Sequence, residues 1–125
     1  MKVAENKIQQ DVVMSFRKNY CLKHHNPRCV IYSVPNESDN SWETQKKINT
    51  GLMKGAADLI ILLPNGKCVL PETKTPDGYQ SPAQHSFQEQ AEALGHTYFV
   101  YKSEKQFWDK MNPILTELGL EAYNG

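Results

Sequence analysis

The chain carries no net charge, because 14 Lys and Arg balance 14 Asp and Glu among its 125 residues. That balance excludes a protein that coats nucleic acid by bulk positive charge, but it allows a basic patch offset by an acidic pocket. There is no apolar run near the ~20 residues needed to cross a bilayer. The longest, residues 59–63, follows Ala56, Ala57 and the charged Asp58. Residues 1–10 alternate charged and polar side chains and lack the apolar stretch of a secretory signal, so a cytoplasmic protein with no membrane partner is expected. Cysteine is scarce: Cys21, Cys29 and Cys68 cannot all pair, which argues against a disulfide framework. Repeats, low-complexity segments and linkers are also missing. What remains is 39% hydrophobic and 22% charged, a composition that folds. The length fits one domain, residues 1–125, large enough to bury roughly two-thirds of its unfolded surface.

Hydrophobic periodicity predicts a helix over residues 1–22. Ile8, Val12, Phe16 and Tyr20 recur every fourth residue. Glu5 extends the same stripe, either as a first-turn acid favoured by the helix dipole or as a functional carboxylate. Residues 29–34 read as a strand, 35–41 as a polar loop, and 42–54 as a short helix leading into Gly51 and Gly55. Residues 58–63 and 67–74 read as two strands of a hairpin around Pro64-Asn65-Gly66. Ser81 caps a helix to Leu94, with Pro82 at its first position, Gln84 completing a capping box and Gly95 as the stop. Phe87, Ala91 and Leu94 are expected on its buried face. Residues 96–101 form a further strand. A second capping box, Ser103 with Gln106, opens a final helix that Pro113 kinks or splits. The order α-β-(α)-β-β-α-β-α describes an α/β domain, a small mixed sheet flanked by helices.

The chemistry concentrates between Gly55 and Gln84. Asp58 opens one strand, and Glu72 and Lys74 close the next. Glu72 and Lys74 are two apart, so they share a face. A two-residue turn on Asn65-Gly66 would pair Asp58 with Thr73. A three-residue turn on Pro64-Asn65-Gly66 pairs it with Glu72. The second fits better, with Pro64 and Asn65 at the right-handed positions of a type I turn and Gly66 left-handed after them. Two adjacent carboxylates repel unless a cation joins them. Beside a lysine they suit Mg²⁺ or Mn²⁺ and phosphodiester hydrolysis. A surface salt bridge from Lys74 is the bland alternative. Cys21, His24, His25 and Cys29 straddle a helix end and a strand and make a poor zinc site. Cys68, in an apolar strand, reads as core.

Asp58 followed by Glu72-Thr73-Lys74 resembles the D…E-x-K signature of the PD-(D/E)XK nuclease superfamily, whose restriction-endonuclease-like core fits the element order. The fuller pattern is similar to its VRR-NUC family, the virus-type replication-repair nucleases. The matching features are Gly51, Lys54-Gly55, Asp58-Leu59, Pro64-Asn65-Gly66, Glu72-Thr73-Lys74 and Ser81-Pro82-x-Gln84. Ala57 stands where the superfamily has a proline. The resemblance implies that Asp58, Glu72 and the Thr73 backbone carbonyl bind the metal. It makes Lys74 the catalytic lysine. Gln84 would position that lysine or the substrate phosphate, and Glu5 would reach the metal directly or through water.

The resemblance further implies a Mg²⁺- or Mn²⁺-dependent, structure-selective DNA endonuclease. Stand-alone members of this type, from phage and bacteria, act as homodimers on branched DNA such as four-way (Holliday) junctions. Flap, nicking or restriction-like cutting is an alternative, as is a non-catalytic nucleic-acid-binding domain with the same fold. Lys46, Lys47, Lys54, Tyr79 and Ser81 are the candidates for contact with DNA phosphates, which position DNA without reading its sequence.

Overall fold

The computed structural model describes residues 3–35 and 41–125. In chain order its elements are α1 (Val3–Tyr20), β1 (Val30–Ser33), α2 (Ser41–Asn49), β2 (Leu59–Leu62), β3 (Cys68–Thr73), α3 (Pro82–Ala93), β4 (Thr97–Tyr101) and α4 (Glu104–Glu117). This is the expected order. Met1 and Lys2 of the predicted first helix, and most of the predicted 35–41 loop, lie outside the described residues. Among the described residues no helix is long and apolar enough to cross a membrane.

The strands form one mixed sheet in the order β1-β2-β3-β4. The first two pairs are antiparallel, and β3 runs parallel to β4 through the α3 crossover. Alternation then separates two cores. Leu59, Ile61, Val69, Phe99 and Tyr101 point to the side covered by α1 and α4. There Phe16 stacks on Trp108 at 6.0 Å and Phe107 meets both edge-on, fastening the two helices together. Leu70 and Tyr98 point the other way and pack with Ala57, Phe87 and Ala91 beneath α3. α3 packs on β4, so the β1 end of that face keeps exposed apolar side chains: Val30, Tyr32 and Leu62.

The hairpin register follows the three-residue turn. Ile61 pairs with Val69 and Leu62 with Cys68, and continuing that register sets Asp58 opposite Glu72. The turn's conformation differs from expectation. Asn65 is left-handed (φ 64°), as is Gly66 (φ 73°), and the Lys67 N–H donates to the Pro64 carbonyl. Asn and Gly both tolerate positive φ, so Asn65-Gly66 makes the primed turn that suits strand twist, without changing the register.

Three helix expectations also need correction. Leu94 is exposed, because it caps the C-terminus of α3 past the sheet it would have packed on. Of the two outcomes expected at Pro113, a kink or a split, the split does not occur, and α4 continues through it. The exposed side of the helix lets water take up the carbonyl that the proline leaves free. The α4 cap is also only half a box. Ser103 accepts the Gln106 N–H, but the Gln106 side chain accepts from Lys102 N–H instead of Ser103.

Candidate active site

Pro71 decides how the carboxylates are held. The N–H groups of alternate β3 residues point to β2 on one side and β4 on the other. Lys74 N–H donates to Tyr101 on the β4 side. Pro71 falls among those facing β2 and has no N–H, so the β2–β3 ladder stops after the Ile61–Val69 pair. The next N–H on that side, from Thr73, would be stranded. The Asp58 carboxylate accepts it at 2.9 Å through Oδ2. A side chain thus replaces a strand, which pins Asp58 beside Glu72.

Glu72 is 1% exposed. Its Oε2 accepts from the Gln84 side-chain amide at 2.9 Å and lies 3.9 Å from the Lys74 ammonium. Its Oε1 is buried without a hydrogen-bond partner. Gln84 does two jobs. Its Oε1 accepts the Ser81 N–H at 2.8 Å, completing the α3 capping box, while its amide nitrogen holds Glu72. It therefore touches the carboxylate rather than the lysine.

Burial drives the electrostatics. It pushes the Glu72 carboxyl up to about 9, with the Asp58 charge next in importance and Lys74 opposing. Burial likewise raises Asp58, against the Thr73 N–H, a shared hydrogen bond with Glu72 and Lys74; the Glu5 charge adds to the rise. Such a pair titrates as a unit and holds a proton that a cation would displace. The donor set tests the fit to a metal. It is all oxygen, with the buried Glu72 Oε1 left without a partner, and this suits a hard divalent ion that keeps several waters. Among the described residues no three His, Cys, Asp or Glu side chains form a metal-binding cluster. That leaves Glu5, half-exposed on α1, within electrostatic reach of Asp58 but outside a three-carboxylate cage. The Cys21–His25–Cys29 region forms no such cluster either, and His25 Nδ1 accepts the Leu22 N–H instead.

The basic candidates lie on and after α2. Lys46, Lys47 and Lys54 are exposed, and the Lys46 ammonium sits 5.4 Å from the Trp42 ring centroid. Tyr79 is 86% exposed on a loop held from both ends. Lys102 binds the Pro76 carbonyl, and Gln80 binds the Tyr98 hydroxyl and Gln88. Ser81 is exposed at the mouth of a cleft that Asp58 and Gln84 also line.

Two solved structures share this architecture. One, titled "VRR_NUC domain protein", aligns over 100% of this chain and 96% of its own at 22% identity, with a TM-score of 0.69. The chain has the VRR_NUC fold. A second, titled "VRR_NUC domain", covers 88% of this chain and 95% of its own at 22% identity and a TM-score of 0.61. No protein-family model and no curated protein sequence matches. In this VRR_NUC fold Asp58, Glu72, Lys74 and Gln84 come together at one end of the sheet, with Thr73, the last residue of β3, between Glu72 and Lys74.

Two supporting contacts have no signal in the motif. The Thr73 hydroxyl, facing away from the site, bonds Tyr101 at 2.5 Å and Gln9 at 3.2 Å, tying α1 to the strand that carries Glu72. Gly55, at φ 82°, lies against the first turn of α3, where a Cβ would collide with the Ala83 backbone. Gly95, at φ 89°, faces open space. Gly95→Ala should therefore lower unfolding free energy by only the ~1 kcal/mol of left-handed strain. Gly55→Ala should lower it by about 2 kcal/mol or more, since the backbone collision adds to the same strain. Denaturant melts of both variants separate the two terms.

Proposed function

We propose that this protein is a divalent-metal-dependent DNA endonuclease that hydrolyses phosphodiester bonds. The observation carrying the reading is the Asp58–Glu72 pair, with Glu72 buried and Asp58 half-buried, an unpartnered Glu72 Oε1 and Lys74 at its rim. Asp58, Glu72 and the Thr73 carbonyl would hold Mg²⁺ or Mn²⁺, with Glu5 acting through water. When bound, the ion supplies Lewis acidity at the phosphoryl oxygen and acidifies a water. Lys74 orients the attacking water and offsets negative charge that develops on the phosphate. Gln84 fixes the Glu72 carboxylate, so that its free oxygen faces the site. Lys46, Lys47, Lys54, Tyr79 and Ser81 bind flanking phosphates, a contact set that positions DNA by shape. We place this activity on branched DNA such as four-way junctions, in the cytoplasm of a bacterial or phage-infected bacterial cell. The test is incubation of junction, flap, nicked and linear DNA with Mg²⁺, Mn²⁺ or chelator. Metal-dependent cutting of the branched substrates is expected. No cutting of any DNA would favour a binding module.

A homodimer suits a two-fold branched substrate, because it presents one site to each of two strands. The reading is supported by the uncovered apolar face at the outer strand, where Val30 pairs with Leu62 and Tyr32 with Ile60. Tyr32 and Leu62 are each 43% exposed there, beside a sheet edge that a second copy could cover. Tyr32→Glu and Leu62→Glu should each weaken self-association by about a hundredfold without unfolding the monomer, since both side chains already reach solvent. Light scattering across a concentration series reads the shift. A wild-type protein that is monomeric throughout, or charged variants that still dimerise, would contradict it.

A further inference from the structure

A cleft of about 300 Å³ opens directly from the carboxylate site. Asp58, Ser81 and Gln84 belong to both. Its floor is Gly55-Ala56-Ala57, three consecutive small residues, and Val34, Pro35, Leu52 and the exposed Met53 complete its apolar lining. The floor is held against α3 by the contact that excludes a Cβ at Gly55, so the space is built in. Among the described residues no lysine, arginine or aromatic ring lines it, and the one charged side chain is Asp58. Among the described residues a phosphate group finds no cationic partner there. Aliphatic Leu52 and Met53 together with the polar Ser81–Gln84 cap suit a sugar and base instead.

We propose that this cleft takes one unpaired nucleotide flanking the phosphodiester to be cut. This rests on the nuclease reading above and deepens it, because it states what feature of DNA shape is selected. A base pair is too large for the cleft, so the nucleotide must leave the duplex stack to enter. That step is least costly where the base is already unpaired or frayed. Branch points, flaps and ends provide such a base, and an uninterrupted duplex does not. The uncharged polar side chains of the lining, Ser81 and Gln84, are already bonded within the α3 cap, and Gln84 also to Glu72, so the selection is by pairing state and not by sequence.

The test uses 2-aminopurine, which brightens when it leaves the base stack, placed at successive positions across a branched DNA and in a matched duplex. It is read with the Lys74→Ala protein and Mg²⁺. One position next to the cut site should brighten in the branch and none in the duplex. Ala56→Leu fills the cleft and Met53→Ser strips its wall. Each should abolish the brightening and slow cleavage of the branch by about tenfold or more, the scale of one apolar pocket contact. Met53 is exposed, so its variant keeps the test open if Ala56→Leu fails to fold. Wild-type cutting of branch and duplex at equal rates, or cutting without brightening, would overturn the cleft assignment and leave the nuclease intact. Brightening without cutting by wild type would overturn the nuclease reading and leave the cleft assigned.

Discussion

Lys74→Ala is expected to slow DNA cleavage by about 10²–10³-fold, the scale of losing one preorganised charge at a developing oxyanion. The fold should survive. Lys74 lies at the end of β3, and its backbone N–H bond to Tyr101 does not depend on the side chain. Metal binding should survive as well, and even tighten, because a cation 3.9 Å from Glu72 is removed. The combination of lost turnover, retained melting temperature and retained metal affinity distinguishes a catalytic lysine from one half of a salt bridge. Equal cleavage by the variant would remove Lys74 from the chemistry.

The second large effect is on stability. In the metal-free protein both carboxyl groups have folded-state pKa values raised above their unfolded ones. Their stabilising contribution is therefore complete below the ordinary carboxylate range and is lost as pH rises toward the folded value of about 9 for Glu72. Glu72→Gln removes the buried charge but keeps the shape and an oxygen. Relative to that variant, wild type in chelator should lose ~5–10 °C of melting temperature between about pH 5 and pH 9. Adding Mn²⁺ should restore wild type and leave Glu72→Gln little changed, since binding to the native state alone is stabilising. Parallel melting curves with no widening gap would mean that Glu72 is not held protonated in the empty site.

These two effects come from residues that were legible in the sequence for a physical reason. The Asp58–Glu72 register depends on how many residues lie between paired strands, and Pro64-Asn65-Gly66 set that number even though Asn65 takes the opposite handedness from the one expected. Capping is local chemistry too, so Ser81, Pro82 and Gln84 located the start of α3 correctly. What escaped depends on tertiary placement. Nothing local shows that Leu94 runs past the edge of the sheet, or that solvent tolerates Pro113 within α4. The interruption at Pro71 reads as an ordinary strand residue until its neighbours on both sides are known. Only then does Asp58 appear as the group that takes the stranded Thr73 N–H. The Gly55–Ala83 contact likewise joins two segments that no spacing rule connects.

The zero net charge acquires a spatial meaning in this arrangement. Glu5, Asp58 and Glu72 gather negative charge at one end of the sheet, and exposed lysines stand on α2 and the loop that follows it. A phosphate approaching that pocket meets repulsion unless a cation is present. The most direct measurement is a calorimetric titration of Mn²⁺ into the protein near neutral pH. Wild type should bind the ion with release of protons, because the pair surrenders the one it holds. The Asp58→Asn, Glu72→Gln double variant should show no binding at this site while remaining folded. Equal binding by the double variant, or none by wild type, would contradict the account.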